Sequence, residues 1–208
     1  MQGASDAGGA GAAAIRTARP ADARALSALK RATFRATFVD PPPLGFGVPY
    51  PPEALAAFEE EAYGETVVEH DLRSSGDRTV TWVATHPADG RLLGYAKAGP
   101  CGLPHDDARA GDGELKQLYL AREAQGAGLG RRLMAVAMAH LAASFPAPGR
   151  LWVGVWSGNL KAQRFYERHG FRRVGTYGFR VGPAWVDHEL IFRLDDGESE
   201  GAAAAREG

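Results

Sequence analysis

The segment EAQGAGLGRRL, residues 123–133, sets a glycine at every second position, Gly126, Gly128 and Gly130, and then places Arg131 and Arg132. Glycines spaced this way at the mouth of an apolar helix leave main-chain N–H groups unobstructed, which is the requirement for holding a phosphate. A Walker loop would continue with Gly-Lys-Ser/Thr. Gly130-Arg131-Arg132 has neither that lysine nor the magnesium-binding hydroxyl, so nucleotide hydrolysis is not expected. A dinucleotide fold needs its glycines after the first strand, with an acidic residue about 20 residues on. Here they follow what reads as the fourth strand, and the next strand, LWVGVW, runs into Trp156-Ser157-Gly158-Asn159. What remains is a metal-free pyrophosphate cradle built from the amides of Gly126, Ala127, Gly128, Leu129 and Gly130, with Gln125 and Arg131 as side-chain donors. The plainer alternative is a tight strand–helix turn that binds nothing.

The elements that must position this loop follow from periodicity. GLGRRLMAVAMAHLAASF reads as a helix with Leu129, Leu133, Val136, Ala137 and Leu141 on one face. ELKQLYL before the loop reads as a strand. LWVGVW after the helix reads as a strand covered on both faces, so the three form a parallel crossover unit. LKAQRFYERH is a second helix, opened by Asn159 as N-cap and stopped by Gly170. RRVGTYGFRV and WVDHELIFRL form a closing hairpin across Gly182-Pro183. RTVTWVATH and RLLGYAKAG form another across PADG. Nearer the start, AIRTARPADARALSALKRATFRATF reads as a short strand and a helix carrying Leu26, Leu29, Phe34 and Phe38. DPPPLGFGVPYPP is a stiff loop, and PPEALAAFEEEAYGE resumes as helix. The expected fold is α/β (α+β), a mixed central sheet of about seven strands flanked by about four helices.

The 208 residues suit one domain, read here as 15–194, with flexible tails at 1–14 and 195–208 rich in Gly, Ala and acidic residues. A net charge of −1 argues against a nucleic-acid partner. No apolar run approaches the roughly 18 residues of a membrane span, and the first residues lack a signal-peptide pattern, so a cytoplasmic chain is expected. Cys101 is the sole cysteine and reads as a bystander. His70, His86, His105, His140 and His169 show no ligand spacing, so no metal is expected. Trp152 and Trp156, on one face of their strand, read as packing residues.

Two stretches together, ELKQLYLAREAQGAGLGRRLM and LWVGVWSGNLKAQRFYERHGFRRVG, resemble the GNAT superfamily of acetyl-coenzyme A-dependent N-acetyltransferases. The Q/R-x-x-G-x-G/A signature falls on Gln125, Gly128 and Gly130. The Asn-x-x-A-x-x-F-Y-x-x-x-G-F pattern falls on Asn159, Ala162, Phe165, Tyr166, Gly170 and Phe171. The likeness is sharp across 114–175, and GTYGFRVG with TFRATF is similar to the PaiA-type polyamine acetyltransferases.

The resemblance implies acetyl-coenzyme A as cosubstrate and a small-molecule amine, polyamine-like, as acceptor, with direct attack in a ternary complex. It further implies that Leu118, Tyr119 and Leu120 pair with the pantetheine arm, the Leu118 amide facing the thioester carbonyl. Asn159 and Phe165 join the cofactor residues, Tyr166 becomes the general acid, and Glu114 the base. Asp187 and His188 are alternatives for the base or for anchoring a cationic acceptor, and Glu59, Glu60, Glu61 and Glu65 could attract one. The plainer alternatives are a core tyrosine at 166, an N-cap at 159, a strand-end carboxylate at 114 and a solvated helix face at 59–65. Phe34, Phe38 and Tyr50 wall an acceptor or simply pack. A homodimer, a peptide N-terminus as acceptor and a non-catalytic coenzyme A sensor remain open.

Overall fold

The computed structural model describes residues 13–74, 76, 78–147, 149–182 and 185–195. Pro183 of the expected Gly182-Pro183 turn and nearly all of both expected tails lie outside these residues. The strands are β1 (Ala14–Thr17), β2 (Val80–Thr85), β3 (Leu92–Pro100), β4 (Gly113–Leu120), β5 (Leu151–Trp156), β6 (Arg172–Val181) and β7 (Trp185–Leu194). They form one seven-stranded sheet ordered β1-β2-β3-β4-β5-β7-β6. Every neighbouring pair is antiparallel except β4 and β5. The helices are α1 (Ala23–Phe34), α2 (Pro52–Tyr63), α3 (Glu65–Ser74), α4 (Leu129–Ser144) and α5 (Leu160–Glu167).

The sheet agrees with the expected one. The helix expected through PPEALAAFEEEAYGE ends at Tyr63, and α3, which follows beyond Gly64, is a helix that the reading from sequence did not assign. Along α1 the buried face carries Leu26, Leu29 and Phe34. A π-helical turn over Arg35–Val39 continues it and buries Phe38 beside Phe34. On α4, Leu129, Leu133, Ala137 and Leu141 are buried as expected, together with Met134, while Val136 only borders the core.

The sheet separates two apolar layers. On one face α4 and α5 cover Leu115, Val153, Val155, Leu190 and Phe192. On the other, Phe34, Phe38, Tyr50, Phe58, Tyr63 and Val181 pack together beside Trp156 and Tyr119. Trp152 is fully buried in a third cluster with Leu103 and Ile191, so both tryptophans of β5 pack as read. Glu59 is buried and ion-paired to Arg35, and Glu60 pairs with Arg31, so these two serve the α1–α2 seam.

Below the crossover, Asp112 is 2 % exposed and accepts from the indole N–H of Trp152 at 2.7 Å and from the amides of Arg150 and Arg109 at 2.9 and 3.0 Å. It ties the beginning of β4 to the beginning of β5. Asp112→Ala leaves the buried Trp152 indole and two partly buried amides unmatched, and a loss of about 3 kcal/mol is expected in urea unfolding.

Candidate functional site

β4 and β5 pair only at Gly113 with Leu151 and at Glu114 with Trp152, although both strands run on beyond that point. From Leu115 onward the β5-facing edge of β4 lies open, a wedge whose narrow end is the Asp112 clamp. On the opposite edge β4 stays paired to β3, with a register shift that matches Lys97 to Gln117 and Ala98 to Leu115. Lys116 is therefore the extra residue of a β-bulge, which re-aims the side chains beyond it. Leu115 lies in the α4-side core, Gln117 meets Lys30 of α1 on the other face, and Leu118 and Leu120 return to the α4 side.

The ladder fixes which amides are free. The N–H of Ala121 donates to the carbonyl of Leu93 on β3. Because main-chain groups alternate along an antiparallel strand, those of Tyr119 and Gln117 also face β3, and those of Leu118 and Leu120 face the open wedge. The carbonyl of Leu120 accordingly takes a side-chain bond from Gln125 Nε2 at 3.4 Å. Gln125 thus commits one donor to the loop itself.

At the wide end of the wedge the glycine loop turns into α4. Gly126 and Gly128 have φ of 87° and 77° with open space where a Cβ would stand, so backbone conformation is what calls for glycine there. Gly130 is different: a Cβ there would come within 3.2 Å of Leu120 Cδ1. Gly128 caps α4 with no side-chain acceptor, and the first bond closing the helix is Arg132 N–H to the carbonyl of Gly128. The six amides from Gly126 to Arg131 donate to no backbone carbonyl among the described residues. Ala127, Gly126, Gly128 and both Arg131 and Arg132 are exposed, whereas Leu129 is buried beneath the loop. Aligned helical dipoles add positive potential at the same place.

α5 follows β5 and packs Tyr166, Phe165 and Ala162 against the α4-side core. Asn159 is its N-cap, the side-chain oxygen accepting from the Ala162 amide at 3.0 Å. Tyr166, 7 % exposed, packs edge-on against Phe165 and Phe171, and its hydroxyl has no hydrogen-bond partner among the described residues. Burial alone pushes its phenol well above the ordinary value, so it stays protonated. Phe165 is half-buried between Tyr166 and His169.

On the face away from α4 the acidic groups differ in state. Glu114 is buried, and its Oε2 accepts from the Gly102 amide at 2.8 Å and from Lys116 Nζ at 2.9 Å. Asp187 is buried and accepts from the Tyr50 hydroxyl. His188 is exposed. Glu189, which the reading from sequence missed, stands two residues beyond Asp187 on the same face of β7, opposite Trp156 on β5 and Tyr177 on β6. It makes no hydrogen bond or ion pair among the described residues, and burial, aided by Asp187, raises its carboxyl to about 8. The period of two in WVDHELIF was the signal that pairs it with Asp187. Tyr177 reaches over Gly154 of β5, its hydroxyl 2.8 Å from the place a Cβ would take, so glycine at 154 leaves room on the floor of this face.

Among the described residues, no group of three or more His, Cys, Asp or Glu side chains is placed to hold a metal, and no helix is long and apolar enough to cross a membrane.

The chain matches the family described as "Acetyltransferase (GNAT) family" over residues 35–171. It is 35% identical over 161 residues to an uncharacterized N-acetyltransferase of Mycobacterium tuberculosis, covering 77% of this chain and 90% of that one. A spermine/spermidine N(1)-acetyltransferase of Bacillus subtilis is 29% identical over 91 residues, 44% of this chain and 59% of that one. Among solved structures, the PaiA N-acetyltransferase of Thermoplasma acidophilum in complex with coenzyme A superposes with a TM-score of 0.65 at 19% identity, over 88% of this chain and 98% of that one.

Proposed function

The chain belongs to the GNAT acetyltransferase family and is an acyltransferase, and from that premise we propose that it moves the acetyl group of acetyl-coenzyme A to a primary amine of a small molecule. The observation that carries this reading is the continuity of unengaged main-chain donors, from the amides of residues 126–131 into the open edge of β4. A diphosphate fits the first group and an extended amide-bearing arm fits the second, as an added strand would. Bound there, the cosubstrate supplies an acetyl thioester.

The protein's residues then have distinct tasks. The Leu118 amide, turned to the wedge, donates to the carbonyl oxygen as it gains charge. The amine nitrogen bonds to the acetyl carbon, the carbon–sulfur bond breaks, and the Tyr166 hydroxyl gives its proton to the departing sulfur. The ammonium proton passes to Glu189. We assign it this role over Glu114, whose Oε2 is already held by Lys116 and Gly102. Asp187, on the same face, offers the negative charge that a cationic amine needs at its reacting end, and the partial likeness to spermine/spermidine acetyltransferase supports an aliphatic amine there.

The test is calorimetry of acetyl-coenzyme A binding paired with release of free thiol over a panel of amines. Binding followed by amine-dependent release is expected; binding without release would mark a sensor. The carboxyl of Glu189 is neutral below about 8 and becomes a proton acceptor as pH rises through that value. Wild-type kcat/KM should therefore climb through this range. Glu189→Gln should remove that limb and lower kcat/KM at pH 8.5 by roughly 10²-fold, read from initial rates across pH 6.5–9.5.

A further inference from the structure

Against the front of the β4 bulge lies a cavity of about 380 Å³, within the size range of small-ligand sites. Three lysines line it, Lys30 from α1, Lys97 from β3 and Lys116 from β4. Lys97 is held by Asp71 at 2.6 Å and Lys116 by Glu114 at 2.9 Å. Lys30 is 4 % exposed, and Asp71, the carboxylate that acts on it through space, already holds Lys97. Its ammonium donates to Gln117 Oε1 at 2.5 Å and stands over the rings of Tyr95 and Tyr63.

A buried ammonium with a neutral acceptor and two aromatic faces destabilises the fold relative to an apolar side chain of its length. Burial, with Lys97 nearby, accordingly lowers Lys30 to about 8. A polyamine gains nothing by extending toward three lysines. Asp71 and Glu114 line the cavity too and offset Lys97 and Lys116, so the positive charge left for an anion is that of Lys30.

We propose that this cavity is a carboxylate subsite of the acceptor, so that the substrate class is a zwitterionic aliphatic amine, an amino acid acetylated on nitrogen. The reacting amine faces Glu189, and the carboxylate is taken by Lys30. This rests on the acetyl-transfer reading above and narrows its acceptor. Gln117, which orients Lys30, is chain neighbour to Leu118, whose amide faces the wedge, so the cavity adjoins the place where the amine must attack.

The test compares acceptors that differ only by the carboxylate, L-lysine against cadaverine and L-ornithine against putrescine, by thiol release with the full chain at saturating acetyl-coenzyme A. The carboxylated member of each pair should show at least about tenfold higher kcat/KM, equivalent to 1.4 kcal/mol. Lys30→Met should reduce the difference to less than about threefold, with acetyl-coenzyme A affinity unchanged and a melting temperature at pH 7 no lower than wild type. Equal or faster reaction of the diamines, or an undiminished preference in Lys30→Met, overturns the carboxylate subsite and leaves acetyl transfer standing. Cosubstrate binding with no thiol release from any of the four amines overturns both.

Discussion

Tyr166→Phe is expected to lower kcat by about 10²-fold while leaving the Kd of acetyl-coenzyme A within about twofold of wild type. The two halves of that expectation have separate causes. Phenylalanine keeps the ring that packs against Phe165 and Phe171, so α5 and the wall of the wedge stay in place. Only the hydroxyl is lost, and that hydroxyl bonds to nothing among the described residues. A tyrosine retained for packing would tolerate its removal without change in rate, and the variant would be at least as stable as the parent. A tyrosine that protonates the leaving thiolate cannot be replaced this way. Stopped-time thiol assays together with calorimetric affinity and a thermal melt separate the two roles.

The second large effect is expected at the glycine loop. Alanine at both Gly126 and Gly128 forces side chains into left-handed backbone, at roughly 1–2 kcal/mol for each position. Because neither Cβ meets an obstacle, the loop relaxes rather than clashing, and the amides lose their common aim. Acetyl-coenzyme A binding should weaken by about 10²-fold. The control is Gly90→Ala in the β2–β3 turn, where φ is 72° and the space is equally open. That substitution carries the same backbone strain in a turn that gives no amide to the loop and touches it only through the Arg91–Glu123 ion pair, so it should reduce stability and leave the affinity for acetyl-coenzyme A unchanged.

Much of this arrangement was legible in the residues. Alternating apolar positions identified the strands, and the glycine spacing identified the turn into α4, because both patterns are local. What closes the narrow end of the wedge was not legible: Asp112 grips Trp152, Arg150 and Arg109, groups that come together only through the folded chain. The reason for each glycine was likewise hidden, since positive φ at 126 and 128 and crowding by Leu120 at 130 read identically in sequence. Glu114 was visible as a strand-end acid, but its capture by Lys116 across the bulge was not. Glu189 escaped notice for the opposite reason. Only the period of two that pairs it with Asp187 marks it in the chain, and its raised proton affinity comes from burial among β5, β6 and β7. Lys30 would pass in sequence for a solvated helix residue, until the fold places it beneath Tyr63 and Tyr95.

Amide hydrogen exchange of the loop is the most direct measurement of the central claim, that the main-chain nitrogens of residues 126–131 hold the diphosphate of coenzyme A. Exchange is followed by mass spectrometry on the full chain alone, with coenzyme A, and with pantetheine, which lacks the diphosphate. The account predicts marked slowing across 126–131 with coenzyme A, no slowing there with pantetheine, and slowing at Leu118 with both. Coenzyme A bound at saturation with exchange at 126–131 unchanged would contradict it.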